Sequence, residues 1–134
     1  MKAETRFYLV LVASIVLFDV TGSLASRMLK FDYTALVWPS RFLYLLAGYF
    51  GFNYIRLVGG VLAGLVAGIA DATIGWALSA AIRPYLPFAQ PPLSVRTIMF
   101  VVVFVSLQAA FFGFVGGLLS LLVRRFRKRS SAPL

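Results

Sequence analysis

Apolar and polar positions divide the chain into four long apolar stretches separated by short polar breaks. The first runs from Phe7 to Ala25 and is interrupted by one charge, Asp19. The second runs from Tyr33 to Ile55 and contains Arg41; the third, Leu57 to Ile82, has Asp71 as its single charge. The fourth, Thr97 to Val123, carries no charge at all. A hydrocarbon core about 30 Å thick needs roughly 20 helical residues at 1.5 Å each, so every stretch can cross it. None alternates with the period of two that a strand requires, and each run is too long and continuous for a barrel strand. The pattern predicts an all-α integral membrane protein: four transmembrane helices in an antiparallel bundle over residues 7–25, 33–55, 57–82 and 97–123, one domain in all.

The breaks set the connectivity. Residues 26–32 and 52–56 make tight links, which force the first three helices to run as antiparallel neighbours. Residues 83–96 form a longer link whose Pro84, Pro87, Pro91 and Pro92 exclude helix through its centre. Lys2 and Arg6 before the first stretch, with Ser23-Leu24-Ala25 at its end, have the outline of a signal peptide. We read the stretch as a retained transmembrane helix.

Composition agrees with the pattern and charge orients it. Of 134 residues, 61% are hydrophobic, well above the 45–50% typical of soluble domains. The net charge is +9, from 13 basic and 4 acidic residues. With four spans, Lys2, Arg6, Arg56, Arg124, Arg125, Arg127, Lys128 and Arg129 share one side. Arg27, Lys30, Arg83 and Arg96 lie on the other. The positive-inside bias then puts both termini in the cytoplasm, in a membrane read here as a bacterial inner membrane. Tyr33, Trp38, Tyr54 and Tyr85 fall near span ends, where amphipathic rings favour the interface. The basic run at 124–129 is predicted to bind anionic lipid at about 1 kcal/mol per residue and to fix topology. It lacks the folded module and aromatic interleaving of a nucleic-acid surface.

Little points to catalysis. There is no Cys and no His, which removes thiolate and imidazole metal sites, Cys nucleophiles and Ser–His arrangements. The Gly59-Gly60 and Gly64 run lies inside an apolar span without the strand a phosphate loop needs. No enzyme activity, cofactor or metal is expected.

Two patterns remain. Gly60, Gly64 and Gly68, extended by Gly75, fall within about 80° on the helix wheel. Ala109, Gly113, Gly117 and Ser120 repeat the spacing in the fourth stretch, with Gly116 beside them. Such stripes let backbones approach closely where lipid offers no hydrophobic drive. They read as packing between the third and fourth spans, or as a homo-oligomeric interface. The second pattern is the set of intramembrane polar groups, Asp19, Arg41, Asp71 and Gln108. An ionisable group inside a span costs about 2.5–3.5 kcal/mol on insertion scales, so each is expected to face a partner or a cavity. At matched depth on antiparallel neighbours, Asp19 and Arg41 form the natural pair. That leaves Asp71 unpaired near the midplane, either as a proton-coupling acid or as a buried hydrogen-bonding group. Arg41 has a second reading: with Pro39 in the first helical turn, it snorkels to the interface. Gln108 has a comparable depth but a wheel position away from the glycine stripe.

Asp19-Val20-Thr21-Gly22-Ser23, followed by Trp38-Pro39-Ser40, resembles the start of the small multidrug resistance transporters. That resemblance implies a four-helix, dimeric, proton-coupled exporter with its essential acid at Asp19. It covers about 30 residues, the family's acid is Glu, and the later spans, the proline-rich link and the basic tail depart from the pattern. No function is transferred from it. The leading expectation is a small membrane protein acting through helix–helix packing, as an oligomer or as a subunit of a larger complex. The alternative is a proton-coupled transporter or channel for small solutes, using Asp19 or Asp71.

Overall fold

A computed structural model describes residues 2–87 and 94–130, and side chains as far as Arg127. Every described element is helical: α1 (Ala3–Leu29), a 3-10 turn (Tyr33–Leu36), α2 (Val37–Ala70), a π-helical segment (Asp71–Gly75), α3 (Trp76–Ile82) and α4 (Val95–Ser130). Three continuous helical runs, Ala3–Leu29, Tyr33–Ile82 and Val95–Arg127, are long and apolar enough to cross a membrane. The chain therefore has the character of a multi-pass membrane protein.

The 50-residue run is not straight. At Ile55 (φ −132°, ψ 34°) and Arg56 (φ 53°, ψ −135°) its backbone leaves helical geometry and the chain folds back on itself. Gly51 and Gly59, on either side of the break, press backbone on backbone, and Ala63 also reaches Gly51. In an unbroken helix Gly51 and Ala63 would lie about 18 Å apart. α2 is thus a hairpin of two arms, as the polar break at Asn53–Arg56 predicts. Its turn works without glycine, by placing Arg56 in the left-handed region.

α4 lies against both arms. Gly113 touches Gly48 of the first arm and Gly60 and Gly64 of the second, while Gly116 meets the backbone of Leu45 and Tyr49. At Gly48, Gly64 and Gly116 an added Cβ would collide with a neighbouring backbone carbonyl. These glycines are there because nothing larger lets three backbones meet.

The interior is accordingly small and the periphery large. Ala63, Ala67 and Ala109 are fully buried, whereas Phe100 and Leu107 are 68% and 65% exposed. α1 follows the same inversion. Its buried residues are Ile15, Asp19, Ser23 and Ser26, spaced four, four and three along one face. Such outward apolar surface is unfavourable in water and neutral in hydrocarbon, where lipid tails are as apolar as leucine.

Both ends of the bundle are tied. At one, Phe7 packs on Tyr54 with centroids 4.9 Å apart, and Arg124 donates to Asn53 and lies over the Phe52 ring. This gathers the start of α1, the α2 turn and the end of α4. At the other, Arg27 donates to the Ile82 carbonyl (2.9 Å) and the Tyr33 N–H to the Tyr85 carbonyl (3.1 Å). Of the long link, Pro84 and Pro87 lie in non-helical chain, while Phe88, Pro91 and Pro92 are outside the described residues.

Candidate functional site

The site is organised by the π-helical segment. Between Asp71 and Gly75 the helix widens, and the Trp76 N–H reaches back to the Asp71 carbonyl. One extra residue in the turn rotates everything after it relative to the glycine stripe. Gly60, Gly64 and Gly68 face α4, packing on Gly113 and Gly117, on Ala109, and on Ser106 and Ala109 respectively. Gly75, expected in the same stripe, faces α1 instead. Its Cα lies against the carboxyl of Asp19, and a Cβ there would overlap Asp19 Oδ2.

That rotation corrects the expected pairing of Asp19 with Arg41. The two match in depth but not in direction around the helix. Asp19, only 3% exposed, faces Asp71 within hydrogen-bonding reach. Asp71 in turn accepts a hydrogen bond from the Tyr44 hydroxyl on the first arm of α2. Asp71 is therefore not the isolated acid of the sequence reading. Oδ2 of Asp19 has no hydrogen-bond partner among the described residues. Two carboxyls so placed can share one proton, and the Tyr44 hydroxyl supplies a donor to the one that gives it up.

A polar chain continues from Asp19 along α1. One turn further, the buried Ser23 donates to Ser79 of α3 (2.8 Å), and Ser79 is hydrogen-bonded to the Tyr33 hydroxyl (2.9 Å). Ser26, the next residue on this face, donates to the Phe31 carbonyl (2.8 Å). Ser23, Ser79 and Tyr33 thus form a hydrogen-bonded line that begins one turn from Asp19 and runs towards the end of the bundle where α1, the 3-10 turn and the chain after α3 meet.

Beside this line lies a cavity of about 670 Å³, within the range of small-molecule sites. Arg41, Tyr44, Asp71 and Gln108 supply polar groups to it, with Ser79 and Tyr33 farther along. Leu36, Val37, Trp76, Val101 and Val105 make its apolar walls, and Arg83, Pro84 and Leu86 line it beyond α3. Gln108, which its wheel position sets apart from the glycine stripe, shares this cavity with Asp71. The cavity occupies a different face of α4 from the packing stripe.

Arg41 fits neither sequence reading completely. Pro39 stands in the first turn of α2, as expected, and Arg41 stacks on Trp38 at 4.7 Å from the ring centroid. Yet Arg41 lines the cavity, and its buried Nε has no acceptor among the described residues.

The basic end of α4 extends the helix to Ser130. Arg124 is bound to Asn53 and Phe52, and Arg125 is exposed. Arg127 also lies on this helix, and the side chains of Lys128 and Arg129 lie outside the described residues.

Sequence reasoning missed Tyr44, Ser23, Ser79 and the cavity itself. A signal existed for one of them: Asp19 and Ser23 lie four apart within an otherwise apolar helix. Nothing local marks Tyr44 or the π-helical turn. No group of three or more His, Cys, Asp or Glu side chains able to hold a metal ion occurs among the described residues. Comparison with protein-family models, with curated proteins and with solved structures finds no match to this chain.

Proposed function

We propose that the protein is a proton-coupled carrier of small solutes, with Asp71 and Asp19 as the proton-exchanging pair and the adjoining cavity as the solute site. The observation that carries this reading is the position of Asp71. It lines the cavity and also interacts with the buried Asp19. A carboxyl in that position senses both a proton and a solute, which is the minimum that coupling requires. Facing the pair are Tyr44 from the first arm of α2 and, around the cavity, Arg41 and Gln108. The Ser23–Ser79–Tyr33 line supplies the proton route. No reacting nucleophile or activated water is part of the proposal, so it is for transport and not catalysis.

The proposed topology has four crossings, the α2 hairpin counting as two, and both termini in the cytoplasm of a bacterial inner membrane. Eight basic residues at the Lys2, Arg56 and Arg129 end against four at the other support that orientation. Anionic lipid at the basic end of α4 is the expected partner. Packing through the glycine stripe, as an oligomer or subunit, has less support. Gly48, Gly60, Gly64, Gly113 and Gly116 are all engaged within the chain.

The test is flux in proteoliposomes, with proton entry read by an internal pH-sensitive dye across a panel of organic anions, cations and neutral solutes. A solute-dependent proton flux that Asp71→Asn abolishes, while the variant stays helical and monodisperse, is the expected result. Absence of flux for the whole panel, together with fixed protein partners in a mild-detergent pull-down, overturns the carrier in favour of the packing subunit.

A further inference from the structure

The cavity contains a charge imbalance that points to the kind of solute it takes. Two arginines, Arg41 and Arg83, line it against one acidic residue, Asp71. That carboxyl already accepts the Tyr44 hydroxyl and interacts with Asp19. Among the described residues no carboxylate pairs with Arg41, and its buried Nε has no acceptor. A half-buried guanidinium without a counter-charge is costly, and an anion in the cavity supplies what it lacks. Its planar fork suits a carboxylate, sulfonate or phosphate better than a point cation would. Stacking on Trp38 holds the fork in place beforehand.

The remaining walls set the rest of the ligand. Leu36, Val37, Trp76, Val101 and Val105 offer mainly apolar contact, and about 670 Å³ accommodates an organic body as well as an anionic head. We infer that the cavity binds a small amphipathic organic anion, with its charged head on Arg41 and its apolar part against Trp76, Val101 and Val105. Arg83, exposed and also in the lining, adds positive potential to the cavity. The inference deepens the carrier reading by naming its substrate class and depends on that reading only for transport.

The two tryptophans of the chain, Trp38 and Trp76, both adjoin the proposed site and report on it. The full chain in nonionic detergent is titrated with hexanesulfonate, hexyltrimethylammonium and hexanol, of which the first two keep their charge at any pH. Hexanesulfonate is expected to give a saturable change in tryptophan emission and to bind at least 10-fold tighter than either of the others. Arg41→Gln is expected to weaken it at least 10-fold while hexanol is unaffected, and Arg41→Lys to restore part of the loss. Preference for the cation, or equal hexanesulfonate affinity in wild type and Arg41→Gln, overturns the inference. Should Arg41→Gln fail to fold, the ranking of the three probes on the wild type decides.

Repeating the titration in phosphatidylcholine and phosphatidylglycerol nanodiscs distinguishes two sources of the anion. Weaker apparent binding in phosphatidylglycerol identifies a lipid headgroup as the competitor, and unchanged binding identifies a free solute. Either result supports the Arg41 site. Hexanesulfonate binding without proton-coupled flux retains the anion site and overturns the carrier, so the two proposals fail separately.

Discussion

Asp19 and Asp71 lie close enough in the bundle to interact, with Gly75 as the floor beneath the Asp19 carboxyl. The contact joins α1 to the π-helical turn and depends on the absence of a side chain at Gly75. It brings two carboxyls of different helices to one place beside a cavity lined by the only other intramembrane arginine and glutamine singled out in the sequence, Arg41 and Gln108.

Gly75→Ala is expected to disturb this contact first. Its Cβ would fall on Asp19 Oδ2, so the carboxyl must move, at a cost of about 1–3 kcal/mol for overpacking. Gly117→Ala is the control, because the nearest atom to its Cβ is Leu57 Cδ2 at 3.5 Å. It should stay within about 0.5 kcal/mol of wild type. Thermal unfolding in detergent compares the two, and proton flux should fall only in Gly75→Ala.

Gly48→Ala and Gly64→Ala test the three-backbone contact. Each drives a methyl into a carbonyl of α4, Gly113 or Ala109, which no side-chain rotation relieves. Both should unfold at least as readily as Gly75→Ala, and Gly48→Leu should fail to give a monodisperse protein. Wild-type stability in Gly48→Ala would contradict the packing described here.

Tyr44→Phe removes the donor to Asp71 and leaves the ring in place. A half-buried carboxyl that loses its partner costs about 1–3 kcal/mol. The expected outcome is a folded protein with a lowered unfolding midpoint and altered proton flux. Ser23→Ala, at a residue outside the cavity lining, cuts the Ser23–Ser79–Tyr33 line while changing volume little. It should slow proton entry and leave hexanesulfonate binding unchanged, which separates the proton route from the solute site.

Arg56→Gly is expected to stabilise the chain. Arg56 sits at φ 53°, ψ −135°, a conformation that only glycine adopts without strain. Relief should amount to about 1 kcal/mol, reduced in part by the greater freedom of glycine in the unfolded chain. A raised unfolding midpoint checks it, and a lowered one would mean that the guanidinium contributes more than the backbone strain costs.

Much of the fold was readable from residue order, because it depends on local rules. Apolar runs long enough to cross hydrocarbon placed the helices, and the Asn53–Arg56 break placed the α2 turn. The Gly60, Gly64 and Gly68 stripe marked a close-packed face, since spacing along a helix determines which residues share a side. Direction between helices is another matter. Asp19 matched Arg41 in depth, yet depth leaves the rotation of α1 about its axis free. In the structure the buried Asp–Ser–Ser face turns to the Gly75 and Ser79 side of the third stretch, which leaves room for the Asp19 carboxyl and gives Ser23 an acceptor. The π-helical turn then moved Gly75 out of the glycine stripe, and Gln108 reached the cavity from a face that the stripe left unused. The sequence by itself determined which stretches are long and apolar enough to cross a membrane and which residues in them are too polar to stay there alone. Only the tertiary structure decided which polar residues meet, because that depends on the packing of several helices at once and on a one-residue change in helical register.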